Sequence, residues 1–255
     1  MSELRAESAD GVLTLTIDRE EKRNSLSADV MRGLRDALRD PGDARVIVVT
    51  GAGDRVFCSG ADLAVMGNDA TGLEHHEARG LLREIVLMMA ACPLPVVARV
   101  QGLCLAGGVG LALGCDVVVA SSAATFGLPE VNLGLWPFMV SALLARHVSP
   151  KHAMDLMLSG ERIDADRAYA IGMVSRVLPA DGFDGAFSAY AAELAGKAPL
   201  AVRLGKASFA AALETSLAPA LEALQAQLSL LTTTEDAAEG VRAFFEKRPP
   251  EWTGR

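Results

Sequence analysis

Three runs of β-branched residues set the strongest limit on the fold of this chain. Residues 44–53 read ARVIVVTGAG, residues 95–100 read PVVARV and residues 116–121 read DVVVAS. A continuous apolar run of this kind is typical of a strand that is buried on both faces in a parallel sheet. Stretches with helical periodicity separate the runs, which predicts βαβ units and a layered α/β core.

The segment before the first run carries clear signals for a strand and a helix. Residues 12–18, VLTLTID, alternate apolar and polar side chains and predict a half-buried strand. Ser27 is placed to cap the helix that follows, because its hydroxyl can accept a hydrogen bond from a first-turn N–H. Met31, Leu34 and Leu38 then fall on one face, which predicts that this face packs on the sheet.

The second half of the chain changes from strand patterns to helix patterns. From about residue 139 the apolar period is helical, except for one short extended piece, MVSRVLP. LAPALEALQAQLSLL predicts a long amphipathic helix, and TTTEDAAEGVRAFFEKR predicts a last helix that begins on a threonine cap. The change of pattern near residue 195 predicts a boundary between a catalytic core at 1–195 and a C-terminal helical region at 196–255.

Composition and charge narrow the classes of function. The chain has 255 residues and is 51% apolar, which is enough for one substantial buried core. Its net charge is −8 and it has no long basic run, which argues against nucleic acid and anionic membranes as partners. Glu3, Arg5, Glu7 and Asp10 crowd the start and no 18-residue apolar run occurs, so we expect a cytoplasmic protein without a membrane span.

A glycine-rich segment, LAGGVGLALGCD, lies between two of the predicted buried strands. Gly108, Gly110 and Gly114 resemble the GxGxxG fingerprint of dinucleotide-binding proteins. The geometry argues against that function, because a Rossmann turn leads into a full helix whereas only about eight residues separate Gly107 from the next strand. Two interpretations remain: the small residues let a short helix pack on the sheet, or they form the wall of another site.

A second glycine-bearing segment favours the wall of a site. FCSGADL at 57–63 also follows a predicted buried strand. Loops at the carboxyl ends of neighbouring strands can point backbone N–H groups into one crevice, where α/β sheets usually bind ligands. Such N–H groups can stabilise an oxygen that becomes negatively charged during a reaction. The two loops together therefore predict a site built from backbone amides.

Four motifs occur in a fixed order along nearly the whole chain. They are FCSGADL, PVVARVQGLCLAGGVGLALGCDVVVASSAATFGLPEVNLGL, LSGERIDADRAYAIGMVSRVLP and GVRAFFEKR. Together they resemble the crotonase superfamily, the enoyl-CoA hydratases and isomerases. The resemblance implies an α/β fold with a crotonase-like ββα spiral core and a C-terminal helical trimerisation region, giving a homotrimer or a dimer of trimers. It also implies an acyl-CoA thioester as substrate, with coenzyme A as part of that substrate and with no separate cofactor and no metal.

The resemblance implies roles for residues of both loops. Matched by motif, the N–H groups of Ala61 and Gly107 form the oxyanion hole that binds the thioester carbonyl. Glycine at 107 and 108 would let the backbone come close enough to donate, because no Cβ intervenes. For one residue of the FCSGADL segment, Asp62, a helix cap is an equal alternative to ligand contact. The residues that match the coenzyme A contact region are Ala61, Asp62, Leu63 and Ala64.

Hydratases of this family carry two carboxylates beside the thioester, and this chain matches only one of them. Glu130 in FGLPEVNLG stands at the second position, in an apolar stretch that should raise its pKa toward a range useful for proton transfer. Gly110 stands at the first position, because the chain reads GGVG where the hydratase pattern reads GGCE. No neighbour in VGLALG is ionisable.

The single carboxylate decides the expected reaction. Hydration needs one group to activate water and another to protonate C2, whereas a shift of the double bond from C3 to C2 needs one base that moves a proton from C2 to C4. We therefore expect isomerisation of a 3-enoyl-CoA to a 2-enoyl-CoA, with Glu130 as the base. The alternatives are a 2-enoyl-CoA hydratase that recruits water without a second glutamate, and a catalytically silent acyl-CoA-binding trimer.

Three more residues complete the predicted binding site. Trp136 in LGLWPFMV would help to form a dry acyl pocket, and core packing explains the residue equally well. Phe244 and Lys247 match positions that contact coenzyme A across a subunit boundary in relatives. A solvated end of an amphipathic helix is the alternative for these two.

Overall fold

Two β-sheets form the centre of the fold. A computed structural model describes residues 3–62 and 71–255. The strands in these residues are β1 (Leu4–Ala9), β2 (Val12–Ile17), β3 (Val46–Gly51), β4 (Val56–Cys58), β5 (Val96–Val100), β6 (Leu103–Leu105), β7 (Val117–Ser121), β8 (Thr125–Gly127), β9 (Arg162–Asp164) and β10 (Arg176–Leu178). They pair as a larger sheet in the order β1-β2-β3-β5-β7-β10 and as a smaller sheet in the order β4-β6-β8-β9.

Helices surround both sheets. The α-helices in the described residues are α1 (Ala28–Arg39), α2 (Gly72–Ala91), α3 (Gly107–Leu113), α4 (Phe138–His147), α5 (Pro150–Ser159), α6 (Ala165–Ala170), α7 (Phe183–Ala195), α8 (Pro199–Leu213), α9 (Leu217–Leu231) and α10 (Glu235–Glu246). None of these described helices is long and apolar enough to cross a membrane.

The larger sheet confirms the buried parallel strands that the β-branched runs predict. β2, β3, β5, β7 and β10 run parallel, and every residue of β3 is buried. On one face, Val46 and Val48 pack with Phe183 and Phe187 of α7. The other face belongs to the main core, to which Ile47 contributes. The absence of alternation in these runs therefore follows from burial on both faces.

The smaller sheet is not predicted by the sequence patterns. Its strands β4, β6 and β8 are parallel and consist of three residues each, with Cys104 of β6 paired with Cys58 on one side and Phe126 on the other. The segments FCSGADL and LAGG therefore begin within strands of this smaller sheet and continue past their ends, and they do not follow the strands of the larger sheet directly. Three residues are too few to show a period, so only tertiary pairing defines these strands.

Several helix signals are confirmed. The Ser27 hydroxyl accepts a hydrogen bond from the N–H of Val30 at the start of α1, and the Thr234 hydroxyl accepts one from Ala237 at the start of α10. α9 covers the whole of LAPALEALQAQLSLL. The helical periods of these segments therefore correspond to real helices with the expected caps.

One expectation for the second half is wrong. MVSRVLP contributes β10 as predicted, but Arg162–Asp164 is also extended and forms β9, antiparallel to β8. This segment takes its strand geometry from pairing with the edge of the smaller sheet, because its own three residues carry no periodic signal. α7 ends at Ala195 and α8 begins at Pro199. The division of the chain at 195 into two regions stays a prediction.

Candidate active site

Three neighbouring strands bring the predicted catalytic residues to one edge of the smaller sheet. Ala61 follows β4, Gly107 follows β6 and Glu130 follows β8. The carboxyl ends of parallel strands lie at the same edge of a sheet, so the three residues share that edge. A hydrogen bond of 3.0 Å from the N–H of Ala106 to the carbonyl of Gly127 continues the pairing of β6 and β8 up to the site.

The hydrogen bonds that hold the segment around Ala61 do not use its own N–H. The N–H of Leu26 donates to the carbonyl of Gly60 at 2.8 Å, and the N–H of Asp62 donates to the carbonyl of Leu26 at 3.3 Å. This parallel bridge uses the residues on either side of Ala61, so its own N–H points the other way. Among the described residues, the Ala61 N–H has no hydrogen-bond acceptor.

Gly107 places a second open N–H beside the first. It is the first residue of α3, where backbone N–H groups have no acceptor within the helix. The carbonyl of Ala106 accepts from Val109 and Gly110, and no described residue accepts from Gly107. A Cβ added to Gly107 would lie 3.6 Å from the nitrogen of Ala61, so the two backbone amides are adjacent. Two adjacent unpaired N–H groups at an open edge suit a developing oxyanion.

Gly108 serves packing, although it is next to Gly107. A Cβ added to Gly108 would lie 2.5 Å from the carbonyl oxygen of Cys58, and no real side chain tolerates such a distance. The packing interpretation of the glycine-rich segment therefore applies to Gly108, and the interpretation as the wall of a site stays a prediction for Gly107. The glycine at 108 lets α3 pack against the end of β4, and the glycine at 107 leaves space beside the amide of Ala61.

Glu130 is a half-buried carboxylate at the same edge. It lies in a 3-10 helix, Pro129–Leu133. Its Oε2 atom is buried and has no hydrogen-bond partner among the described residues. Burial raises the pKa of the Glu130 carboxyl above its ordinary value. A carboxylate with a buried oxygen that has no partner and with a raised pKa suits a general base.

Asp62 is held by a buried cation that sequence reasoning missed. Arg19 Nη2 lies 2.9 Å from Asp62 Oδ2, and Arg19 Nη1 donates to the carbonyl of Ser25 at 2.9 Å. The Nε atom of Arg19 lies 3.0 Å from Glu3 Oε1, as an ion-pair contact rather than an aligned hydrogen bond. No sequence pattern connects Arg19 to Asp62, because the two are far apart in the chain. Of the other predicted contact residues of this loop, Leu63 and Ala64 lie outside the described residues.

Gly110 faces an apolar wall. It lies inside α3 with helical backbone, and a Cβ added there would lie 3.1 Å from Val140 Cγ2 and 3.9 Å from Leu82 Cδ2. Val140 is buried in the main core. Packing against α4, and not backbone conformation, is therefore what limits the side chain at this position.

The structure places the last three predicted residues in different surroundings. Trp136 is partly buried and packs against the main core. Phe244 lies on α10 and Lys247 follows the end of that helix, both exposed. No backbone hydrogen bond within the described part of this chain joins either of them to Ala61, Gly107 or Glu130.

The fold brings two unpaired backbone amides and a carboxylate to one edge of a sheet, an arrangement that suits a class of enzyme in which an oxyanion is stabilised. Comparisons with known proteins identify the family within this class. The family described as enoyl-CoA hydratase/isomerase matches residues 7–255. The chain therefore belongs to the enoyl-CoA hydratase/isomerase family, whose members act on acyl-CoA thioesters, and the predicted crotonase fold is confirmed.

Individual relatives match over almost their whole length. The chain is 39% identical to a probable enoyl-CoA hydratase of Rhodobacter capsulatus, over 99% of this chain and 98% of that protein. It is 34% identical to a crotonyl-CoA hydratase of Syntrophomonas wolfei, over 95% of this chain and 94% of that protein. The crystal structure of an enoyl-CoA hydratase from Bacillus anthracis matches with a TM-score of 0.93 at 30% identity, covering 99% of this chain and 100% of that chain.

The two adjacent glycines should respond differently to alanine. We expect Gly107→Ala to keep its melting temperature, because the added methyl makes only ordinary contacts. The methyl would stand beside the Ala61 amide, so kcat/KM for an acyl-CoA substrate should fall by about 10² to 10³, the usual loss for one oxyanion donor. Gly108→Ala should instead lower the melting temperature, because its methyl meets Cys58. Thermal melts and initial rates of both variants test this, and equal effects at the two positions would contradict it.

Proposed function

We propose that this protein isomerises 3-enoyl-CoA thioesters to 2-enoyl-CoA thioesters. The amides of Ala61 and Gly107 bind the thioester oxygen, and Glu130 moves the proton. The observation that carries the proposal is the buried Glu130 Oε2 without a partner in the described residues, at the sheet edge that also holds two unpaired amides. A base that must accept a substrate proton is left unpaired until substrate binds.

The proton shuttle needs one carboxylate. Glu130 takes a proton from C2, and the electron pair of that C–H bond moves into a dienolate whose negative charge lies on the thioester oxygen. The two amides stabilise that charge where it develops. The protonated Glu130 then returns its proton to C4, the C2–C3 double bond forms and the C3–C4 double bond is lost. Atoms and charge balance without another reactant.

The wall opposite Gly110 favours isomerisation over hydration. A water molecule that adds to C3 needs a polar group to hold and activate it, while a second group protonates C2. The side chains near Gly110 are apolar. Val140 and Leu82 occupy the space that a side chain at 110 would enter. α3 therefore offers no second acid or base to a bound thioester.

Hydration is the second candidate, because the relatives from Rhodobacter capsulatus and Syntrophomonas wolfei are named as hydratases. In that case Glu130 would act on water and substrate in turn. A silent acyl-CoA-binding protein is the weaker alternative, since a half-buried glutamate with a buried oxygen that has no partner is costly to keep without a chemical use. A cytoplasmic location and the absence of a separate cofactor or metal stay predictions.

Substitution of the proposed base tests the catalytic role. Glu130→Gln keeps the shape of the side chain and removes the base, so isomerase kcat should fall by about 10² to 10⁴. Binding of a saturated acyl-CoA, measured by calorimetry, should survive. An unchanged kcat in this variant would overturn the assignment of the base.

The raised pKa of Glu130 predicts the direction in which activity and stability change with pH. The wild-type kcat/KM should fall on acidification through a pKa above the ordinary value of 4.5, because the base must be ionised. A carboxyl whose pKa is raised by folding costs stability once the pH exceeds its unfolded pKa. The melting temperature of Glu130→Gln relative to wild type should therefore rise from acid to neutral pH.

The missing second carboxylate can be supplied. Gly110→Glu alone would press on Val140, so the test uses Gly110→Glu together with Val140→Ala, and Val140→Ala alone as the matched control. If the apolar wall limits hydration, the double variant should add water to 2-enoyl-CoA at least about tenfold faster than the control. Product analysis by mass spectrometry measures both reactions. Fast hydration by the wild type without isomerisation would contradict the proposed reaction.

The remaining predicted residues belong to the proposed coenzyme A site. This site would be lined by Asp62, Leu63, Ala64 and the N–H of Ala61. Gly108 would support it by allowing α3 to pack on Cys58. Trp136 would border the acyl chain. Phe244 and Lys247 are exposed within one chain, which agrees with contact to coenzyme A on a neighbouring subunit.

We also propose a homotrimer or a dimer of trimers. Six large apolar side chains on α8 and α9 are more than half exposed in a single chain. This is a larger exposed apolar surface than a monomer usually has. These residues are Phe209, Leu213, Leu217, Leu221, Leu228 and Leu230. Sedimentation equilibrium at micromolar concentration should give three or six times the mass of the chain. A monomer under these conditions would rule out the proposed assembly.

A further inference from the structure

Cys58 at the end of β4 holds the turn that carries the Ala61 amide. Its side chain is fully buried, and its Sγ accepts a hydrogen bond from the N–H of Gly60 at 3.4 Å. Gly60 has φ +94°, a conformation that side chains rarely adopt. A Cβ added to Gly60 would also lie 2.7 Å from the Cβ of Ala106. The turn is therefore tightly constrained, and the thiol is the acceptor for its central N–H.

The same cysteine also contacts the segment that carries the Gly107 amide. The space beside the α-carbon of Gly108 is occupied by Cys58, with its carbonyl oxygen 2.5 Å and its Cβ 2.9 Å from where a Cβ would be. The first turn of α3 thus rests directly on Cys58. One residue therefore contacts both segments whose amides are adjacent at the edge of the sheet.

We infer that Cys58 is a positioning residue for the oxyanion hole, which fixes the Ala61 amide relative to the Gly107 amide. The inference rests on the proposed function of these two amides. A donor misplaced by a fraction of an ångström binds the thioester oxygen less well in the transition state, where the charge is greatest. Loss of the thiol acceptor should thus lower kcat and leave KM nearly unchanged.

The thiol itself takes no covalent part. Burial raises the pKa of Cys58 to about 12, so the group stays a neutral thiol. Its contribution is an acceptor of suitable size for the Gly60 N–H. Serine keeps an acceptor, and alanine has almost the same volume as serine without one, so these two substitutions separate the hydrogen bond from the loss of volume.

The experiment compares Cys58→Ser, Cys58→Ala and, as a control, Cys104→Ala. Cys104 is the register partner of Cys58 on β6, is equally buried, and makes no hydrogen bond to Gly60 in the described part of the chain. Steady-state rates with 3-hexenoyl-CoA and 2-hexenoyl-CoA are measured below the melting transition of every variant. Cys58→Val provides a larger side chain without an acceptor if the alanine variant melts below the assay temperature.

We expect the kcat of Cys58→Ala to be at least about fivefold below that of Cys58→Ser, with KM within about twofold and Cys104→Ala close to wild type. A smaller difference between the serine and alanine variants overturns the inference. So does an equal loss in Cys104→Ala, because that result would reflect only the loss of a buried thiol.

A spectroscopic measurement separates this inference from the proposed function. The carbonyl stretch of hexanoyl-CoA labelled with ¹³C at C1 is recorded by infrared difference spectroscopy in water and bound to each variant. Bound to the wild type, it should shift to lower frequency, because two N–H groups polarise the carbonyl. The alanine variant should lose part of this shift and the serine variant should regain it. A wild type without any shift overturns the proposed oxyanion hole, whereas an equal shift in all variants overturns only the role of Cys58.

Discussion

The site depends on the parallel pairing of β4, β6 and β8. Each of these strands has only three residues, so none would be stable alone, and each takes its position from the strand beside it. Pairing in one direction brings the three following loops to the same edge, although they come from separate parts of the chain. A slip of one residue in β6 would turn the amide of Gly107 away and move Cys104 to the opposite face.

A buried cation connects this small sheet to the larger one. Arg19 follows β2, and its guanidinium contacts both Asp62 beside the site and Glu3, which directly precedes β1. Its side chain is 9% exposed, so each carboxylate compensates a charge that is largely removed from water. The position of Asp62 is therefore coupled to the pairing of β1 and β2. The residue next to Ala61 is thereby fixed by the rigid strands beneath it.

Much of the fold could be predicted because burial leaves a mark in the sequence. β3 is apolar throughout because both of its faces are covered, and α1 shows its core-facing stripe and its Ser27 cap. The amides of Ala61 and Gly107 and the carboxylate of Glu130 were assigned by motif, and their catalytic roles stay predictions. The ion pair of Arg19 with Asp62 could not be predicted, because it arises only when separate segments meet in the folded chain. The same holds for the contact of Val140 with Gly110.

Directly before the amide of Gly107, the backbone is strained at Ala106. This residue has φ 53° and ψ −127°, which for alanine costs of the order of 1–3 kcal/mol and persists only when the surroundings enforce it. Three contacts enforce this conformation. The N–H of Ala106 donates to the carbonyl of Gly127, its carbonyl accepts the first hydrogen bonds of α3, and its Cβ packs on Gly60. A relaxed backbone here would change the direction of the next N–H, that of Gly107. The strain at Ala106 and the acceptor at Cys58 thus act on the two segments whose amides form the proposed oxyanion hole, and the small sheet holds both segments in place.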